Sequence, residues 1–168
     1  FPTRRSSDLI KSSVYLGVLP QELGPHEVID WMPIEDVAGL ILDVSGITQS
    51  KDVSEISGYL HCVNPQTAKW ADLAVAIKDF FSGRVRELVT LEEWVSALEK
   101  SAAGTTNANE NPATKLLPTY QGILAGQRAG REHVYLDMQR TVGQSRTAGR
   151  IDPVTTDLMR NWCAQWNL

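Results

Sequence analysis

The chain has 168 residues, 42% of them hydrophobic and 21% charged, and a formal net charge of −4. That length suffices for one domain burying roughly 70% of its unfolded surface, and the balance is that of a soluble globular protein. The acidity excludes a nucleic-acid footprint, which would need clustered Lys and Arg, and suits a soluble cytoplasmic surface.

Residues 1–8 (Phe-Pro-Thr-Arg-Arg-Ser-Ser-Asp) carry charge with no apolar run behind them, so they are not a signal peptide. Leu9, Ile10, Val14 and Leu16 lie at helical spacing, and the helix they predict stops near Gly17, before a loop over residues 20–25. Residues 28–32 read as a short extended segment. Pro33 then opens a helix with Glu35 and Asp36 in its first turn, where acidic groups favour the dipole. Val37, Leu40, Ile41 and Val44 give that helix one buried face, and Gly46 ends it.

A polar loop over residues 48–57 leads to a predicted strand at residues 59–63, stopped by Asn64 and Pro65. Thr67 is placed to cap a helix whose apolar face is Trp70, Leu73, Ala74, Ile77 and Phe81. Residues 85–89 form the second strand. Thr90 and Glu93 make a capping box for a helix carrying Trp94, Val95 and Leu98. This alternation belongs to an α/β protein with a parallel sheet.

Residues 101–111 read as a solvated linker. Beyond it, Leu116, Leu117, Tyr120, Ile123 and Leu124 mark a helix with Pro118 in or near its first turn, and Tyr135, Met138 and Val142 suggest a shorter one. Asp152 and Pro153 read as the cap and first position of a last helix, striped by Leu158, Met159, Trp162, Cys163 and Trp166.

The search for chemistry returns informative negatives. None of the twelve glycines forms a Gly-x-x-Gly-x-x-Gly or Gly-x-Gly-x-x-Gly turn after a strand, so a dinucleotide's pyrophosphate has no cradle. None of Tyr15, Tyr59, Tyr120 and Tyr135 has a Lys four residues on. His61 and Cys62 are neighbours, but on a strand they point to opposite faces. Cys62 and Cys163 form no zinc spacing or disulfide framework, and no metal is expected. The longest apolar run, residues 37–44, is broken by Gly39 and Asp43 and is too short for a membrane span. What stands out is position: Trp31-Met32-Pro33 and Asn64-Pro65 each follow a predicted strand, where open α/β sheets bind ligands.

These segments also carry a resemblance. Leu16-Gly17-Val18-Leu19-Pro20, Ile29-Asp30-Trp31-Met32-Pro33-Ile34-Glu35-Asp36-Val37-Ala38, Tyr59-Leu60-His61-Cys62-Val63-Asn64-Pro65, Leu91-Glu92-Glu93-Trp94-Val95 and the closing Arg160-Asn161-Trp162-Cys163-Ala164-Gln165-Trp166 resemble, in that order, the C-terminal part of a thioester reductase domain. The family is the extended short-chain dehydrogenases of fungal non-ribosomal-peptide-synthetase-like, polyketide synthase and carboxylic acid reductase type. The resemblance implies the C-terminal portion of a Rossmann-like parallel sheet over residues 9–101 and a mostly helical substrate- and carrier-facing subdomain over 102–168. Residues 1–8 do not fit it and read as a remnant. It further implies a parent that uses NADPH to release an acyl group from a carrier protein's phosphopantetheine arm as aldehyde or alcohol. Its partners would be that carrier, or thiolation domain, and the upstream half of the reductase.

The family's cofactor glycines and catalytic residues lie upstream of the matched region. No cofactor is therefore expected on this chain alone, and it should be inactive by itself. The acyl-pocket role would fall on Leu19, Pro20, Trp31, Met32 and Pro33, and on the helices after Asn111. Two other readings stay open: a non-catalytic helical interaction module docking through Trp162 and Trp166, and a fragment of another extended short-chain reductase acting on a free small molecule. With only two predicted strands, the chain is also expected to expose a sheet edge.

Overall fold

The computed structural model describes residues 4–48, 58–104 and 108–166. They form helices α1 (Arg4–Leu16), α2 (Ile34–Val44), α3 (Trp70–Phe80), α4 (Leu91–Ala103), α5 (Leu117–Arg128), α6 (Gln139–Gln144) and α7 (Thr156–Trp166). Short strands β1 (Val18–Pro20), β2 (Val28–Ile29), β3 (Ala68–Lys69) and β4 (Glu87–Val89) interleave with them. The protein is thus α/β with a small parallel sheet. Two compact units share the chain: one joins Asp30–Ala68 to Val134–Val154, the other Thr3–Ile29 to Lys69–His133 and Thr155–Leu168. They are called here the inner and outer unit, by their order along the sequence.

The outer unit is built on α1. Gly17, at φ 75°, ends the helix, and a Cβ there would sit 2.9 Å from the Arg86 guanidinium. Val18, Leu19 and Pro20 then pair in parallel with Glu87, Leu88 and Val89. The ladder is closed by Gln21 N–H donating to the Val89 carbonyl at 2.8 Å. The sequence pattern places the residues of β1 at a helix end and in a loop, because the partner of β1 lies far along the chain and its three residues carry no alternation of their own. The second strand, expected at residues 85–89, is confined to Glu87–Val89.

Trp70 and Trp94 anchor this unit, both almost wholly buried. The Trp70 indole N–H donates to the Pro20 carbonyl at 2.9 Å. The Trp94 N–H donates to Ser13 Oγ at 2.9 Å, while its ring meets Tyr120 edge-on with centroids 4.8 Å apart. Ser12 Oγ, equally buried, accepts from the Ala113 N–H at 2.8 Å, so two polar residues of α1 are satisfied in its core-facing side. The expected capping box is present: Glu93 N–H donates to Thr90 Oγ1 at 3.2 Å and Thr90 N–H to Glu93 Oε2 at 2.9 Å. α3 buries the face expected of it. Its cap is different: Lys69 holds the N-cap position and Thr67 makes no capping bond there. Glu27 substitutes, its carbonyl accepting from Trp70 N–H at 2.8 Å and its Oε1 from Ala71 N–H at 2.9 Å. The last helix likewise starts later than Asp152 and Pro153. Thr155 caps it, accepting from the Leu158 N–H at 3.1 Å, and Met159, Trp162 and Cys163 are buried.

The inner unit holds Met32, Leu40, Ala148 and Ile151 in one small core, with Val37 and Val44 against it. α2 departs from its expected face: Asp43 is buried, whereas Ile41 is 54% exposed. Asp43 is buried because it is saturated. Thr48 Oγ1 donates to its Oδ1 at 2.5 Å, and Ser145 Oγ and Thr147 N–H donate to its Oδ2 at 2.8 and 2.9 Å. These donors hold the carboxyl well below the usual carboxylate range, the Thr48 hydroxyl foremost, against the opposing effect of burial. The predicted strand at residues 59–63 does not form. The His61 N–H donates to Thr141 Oγ1, which also donates to the His61 carbonyl, both at 3.1 Å, so a hydroxyl takes the place of a ladder neighbour. The predicted loop over residues 48–57 lies, after Thr48, outside the described residues, and Tyr135 precedes α6 as an exposed residue instead of joining it.

A group whose folded pKa is depressed contributes stability above its unfolded pKa and loses it as pH falls. Asp43 should therefore stabilise the inner unit fully at neutral pH and progressively less below about pH 4, the ordinary carboxylate range. Asp43→Asn should lower the unfolding free energy at pH 7 by about 2 kcal/mol, from lost charge-assisted bonds. It should also flatten the acid limb of a stability–pH curve measured by urea denaturation.

Candidate functional site

The residues singled out by sequence fall in two places. Leu19 and Pro20 end β1 in the outer unit; Trp31, Met32 and Pro33 form the turn before α2 in the inner unit.

Leu19 and Pro20 are both buried. The loop that follows them is held by two carboxylates. Glu22 Oε1 accepts from the Leu91 N–H, the first of α4, at 2.9 Å. Glu27 Oε2 accepts from the Leu23 N–H at 3.1 Å, while its other oxygen serves the start of α3. Helix starts leave N–H groups unpaired, and here one loop fills two of them with negative charge. Neither glutamate was singled out in the sequence, since their partners stand 69 and 44 residues away.

In the inner unit, Met32 belongs to the core, and Trp31 and Pro33 are half-buried. Pro33, at φ −55° and ψ 149°, is the N-cap of α2, one position outside the helix it was expected to open. The structure brings this turn together with Asn64, the other residue placed after a predicted strand. Asn64 is buried and its side-chain amide donates to the Trp31 carbonyl at 3.2 Å and the Asp152 carbonyl at 2.9 Å. Its N–H donates to the Asp30 carbonyl at 2.8 Å, and its Oδ1 accepts from Gln66 N–H at 2.9 Å. Asn64 thus latches the turn through backbone groups. Asp36, in the next helical turn, has its carboxyl raised by burial first, then by the negative charges of Glu35 and Asp152. It lines a cleft of about 260 Å³ with Arg146, Thr147, Arg150 and Ile151.

The remaining chemistry-bearing residues are dispersed. His61 and Cys62, expected on opposite faces of a strand, are both exposed on a non-strand segment. Cys163 is buried and its thiol is pushed up to about 12 by that burial, which keeps it protonated and inert. Among the described residues no group of His, Cys, Asp and Glu is placed to hold a metal ion, and no helix is long and apolar enough to cross a membrane. A dinucleotide cofactor does not fit the described residues either. Its pyrophosphate needs free N–H groups at a helix start after a strand. At α3 and α4 those groups already face Glu27, Glu22 and Thr90, and α2 opens with Glu35 and Asp36.

No protein-family profile matches the chain. Individual proteins do. It is 43% identical over 159 residues to a carboxylic acid reductase of Neurospora crassa, covering 95% of this chain and 15% of that protein. It is 32% identical over 139 residues to an adenylate-forming reductase of Serpula lacrymans, covering 75% and 12%. A 3-methylorcinaldehyde synthase of Talaromyces stipitatus is 25% identical over 165 residues, covering 98% and 6%. The chain therefore spans less than a sixth of the length of each of these relatives.

Asn64→Asp keeps the acceptor for Gln66 but removes both amide donors and sets a carboxylate against two carbonyls. It should cost about 2 kcal/mol or more in urea denaturation, with a red-shifted tryptophan emission as the Trp31 turn loosens. In the native wild-type chain one thiol, Cys62, should react rapidly with Ellman's reagent, and Cys163 only on addition of denaturant.

Proposed function

We propose that this chain, which belongs with the C-terminal reductase regions of fungal carboxylic acid reductases, adenylate-forming reductases and polyketide synthases, is the substrate-facing part of an NADPH-dependent thioester reductase. The parent would take an acyl group from a carrier protein's phosphopantetheine arm and release it by reduction. The observation that carries this reading is 43% identity to a carboxylic acid reductase sustained over 95% of the chain.

In this reading residues 9–101 complete a Rossmann-like sheet begun by preceding polypeptide, and residues 102–168 form a helical subdomain facing substrate and carrier. Residues 1–8 are not set apart in this reading: Arg4 to Asp8 open α1, and the match to the Talaromyces stipitatus protein over 165 residues reaches into them. The behaviour of residues 59–63 supports an incomplete sheet. They are β-prone by sequence, yet they make no ladder, and Tyr59 is 93% exposed. Paired with a strand of the upstream half, the same residues would gain the neighbour that the Thr141 hydroxyl now replaces.

The acyl pocket would draw on Leu19, Pro20, Trp31, Met32 and Pro33. Burial of Leu19 and Met32 suits them to support a wall rather than touch the acyl chain, while Trp31 and Pro33 retain exposed surface. NADPH would be held by the upstream half, since the helix starts described here already face carboxylates. The chain contributes shape and contacts, not proton or hydride transfer.

Titration of the purified chain with NADPH should leave the nicotinamide fluorescence unchanged. Polypeptide extended by the contiguous upstream coding sequence should bind NADPH and reduce an acyl thioester on its carrier. Saturable binding by the chain alone would overturn the assignment, and so would an extended, folded polypeptide that reduces no carrier-bound thioester.

A further inference from the structure

Helix α2 is apolar on two sides. Leu40, with Val37 and Val44, packs into the core of the inner unit. At about 100° per residue, Ile34, Ala38, Ile41 and Leu42 gather on the other side. All four are exposed, Ile34 to 50%, Ile41 to 54% and Leu42 to 42%. Glu35 stands at the margin of this stripe, and Asp36 and Asp43 lie away from it, so its centre carries no charge. The apolar arc of α2 therefore runs without a charge from Leu40 round to Leu42, wider than the single stripe a surface helix needs to face its own core. The same unit holds every exposed large apolar side chain among the described residues except Tyr15, Val75 and Phe80.

Resting on the function proposed above, we infer that the Ile34–Ala38–Ile41–Leu42 face of α2 is a permanent internal interface with the remaining polypeptide of the reductase. Two observations choose that occupant. In its relatives this region is 15% or less of a much longer chain, so most of the protein that could cover the face lies outside these residues. The face also lacks the charged and hydrogen-bonding groups that a partner which docks and departs would require. Permanent interfaces resemble a core cut in two, whereas transient ones keep polar rims and steering charges.

The test reads burial, not catalysis. Ile41→Cys on a Cys62→Ser background is labelled with a maleimide in this chain and in polypeptide carrying the contiguous upstream sequence. Labelling should be rapid in the first and slower by about tenfold or more in the second, as for a site reached only by local opening. Hydrogen exchange of the α2 amides in the unsubstituted proteins should slow in parallel, which guards against a folding defect in the variant. Equal rates in the two proteins would overturn the inference. So would a concentration-dependent dimer of this chain, abolished by Ile41→Glu, because the occupant would then be a second copy. A protected face in a polypeptide without reductase activity would remove the functional proposal alone. Activity with an unprotected face would remove this one alone.

Discussion

The first N–H groups of a helix have no partner within it, and they must be answered by water, a ligand or another part of the chain. In the outer unit that requirement organises the structure. Glu27 answers α3 with its carbonyl and one carboxylate oxygen, and Glu22 answers α4 with another carboxylate, from a loop that begins where β1 ends. Each carboxylate contact is a charge-assisted bond placed at the positive end of a helix dipole. The strand end bearing Leu19 and Pro20, the loop, and two helix starts are thereby fixed by the same few atoms. Pro20 joins this set through its carbonyl, taken by the Trp70 indole. The arrangement also decides what the region can bind, since helix starts already facing carboxylates offer nothing to a phosphate.

The inner unit follows the same logic with different groups. Its apolar core is four residues and two flanking valines, too little to fix several loop segments by packing alone. Two polar side chains connect what the core does not. Asp43 gathers Thr48, Ser145 and Thr147 onto α2, and Asn64 ties the Trp31 turn to Asp152. Buried polar groups are stabilising only when their partners are complete. A single altered atom in either should therefore be felt well beyond its own segment.

What the sequence made legible was local. The Thr90–Glu93 box, the apolar face of α3 and the stripe of α7 depend on residues three and four apart, and each is present as read. What it hid was long-range. β1 has three residues and owes its existence to β4, and the caps supplied by Glu22 and Glu27 come from far along the chain. Asp43 read as an interruption because a carboxylate becomes a core residue only once its three donors are known. Residues 59–63 erred in the opposite sense: their propensity is for a strand, but a strand is a relation between two segments, and the second is missing from the described residues. Of the candidate site, the pairing of the Trp31 turn with Asn64 was suggested by position. The burial of Leu19 and Met32 was not, because strand ends and turns give no period from which to infer which side faces inward.

Ser12 and Ser13 bear on how the molecule comes together in time. Their partners, Ala113 and Trp94, lie 101 and 81 residues further along. Ser13 Oγ already donates to the Leu9 carbonyl within α1, but the bonds these two hydroxyls accept wait on segments far along the chain. Contacts of such long separation are formed late, because the loop they close must first be brought to order. α1 is in this sense among the last pieces to be locked. Until then its core-facing side is a polar-flecked apolar surface awaiting cover, the stage at which this protein is most exposed to misassembly.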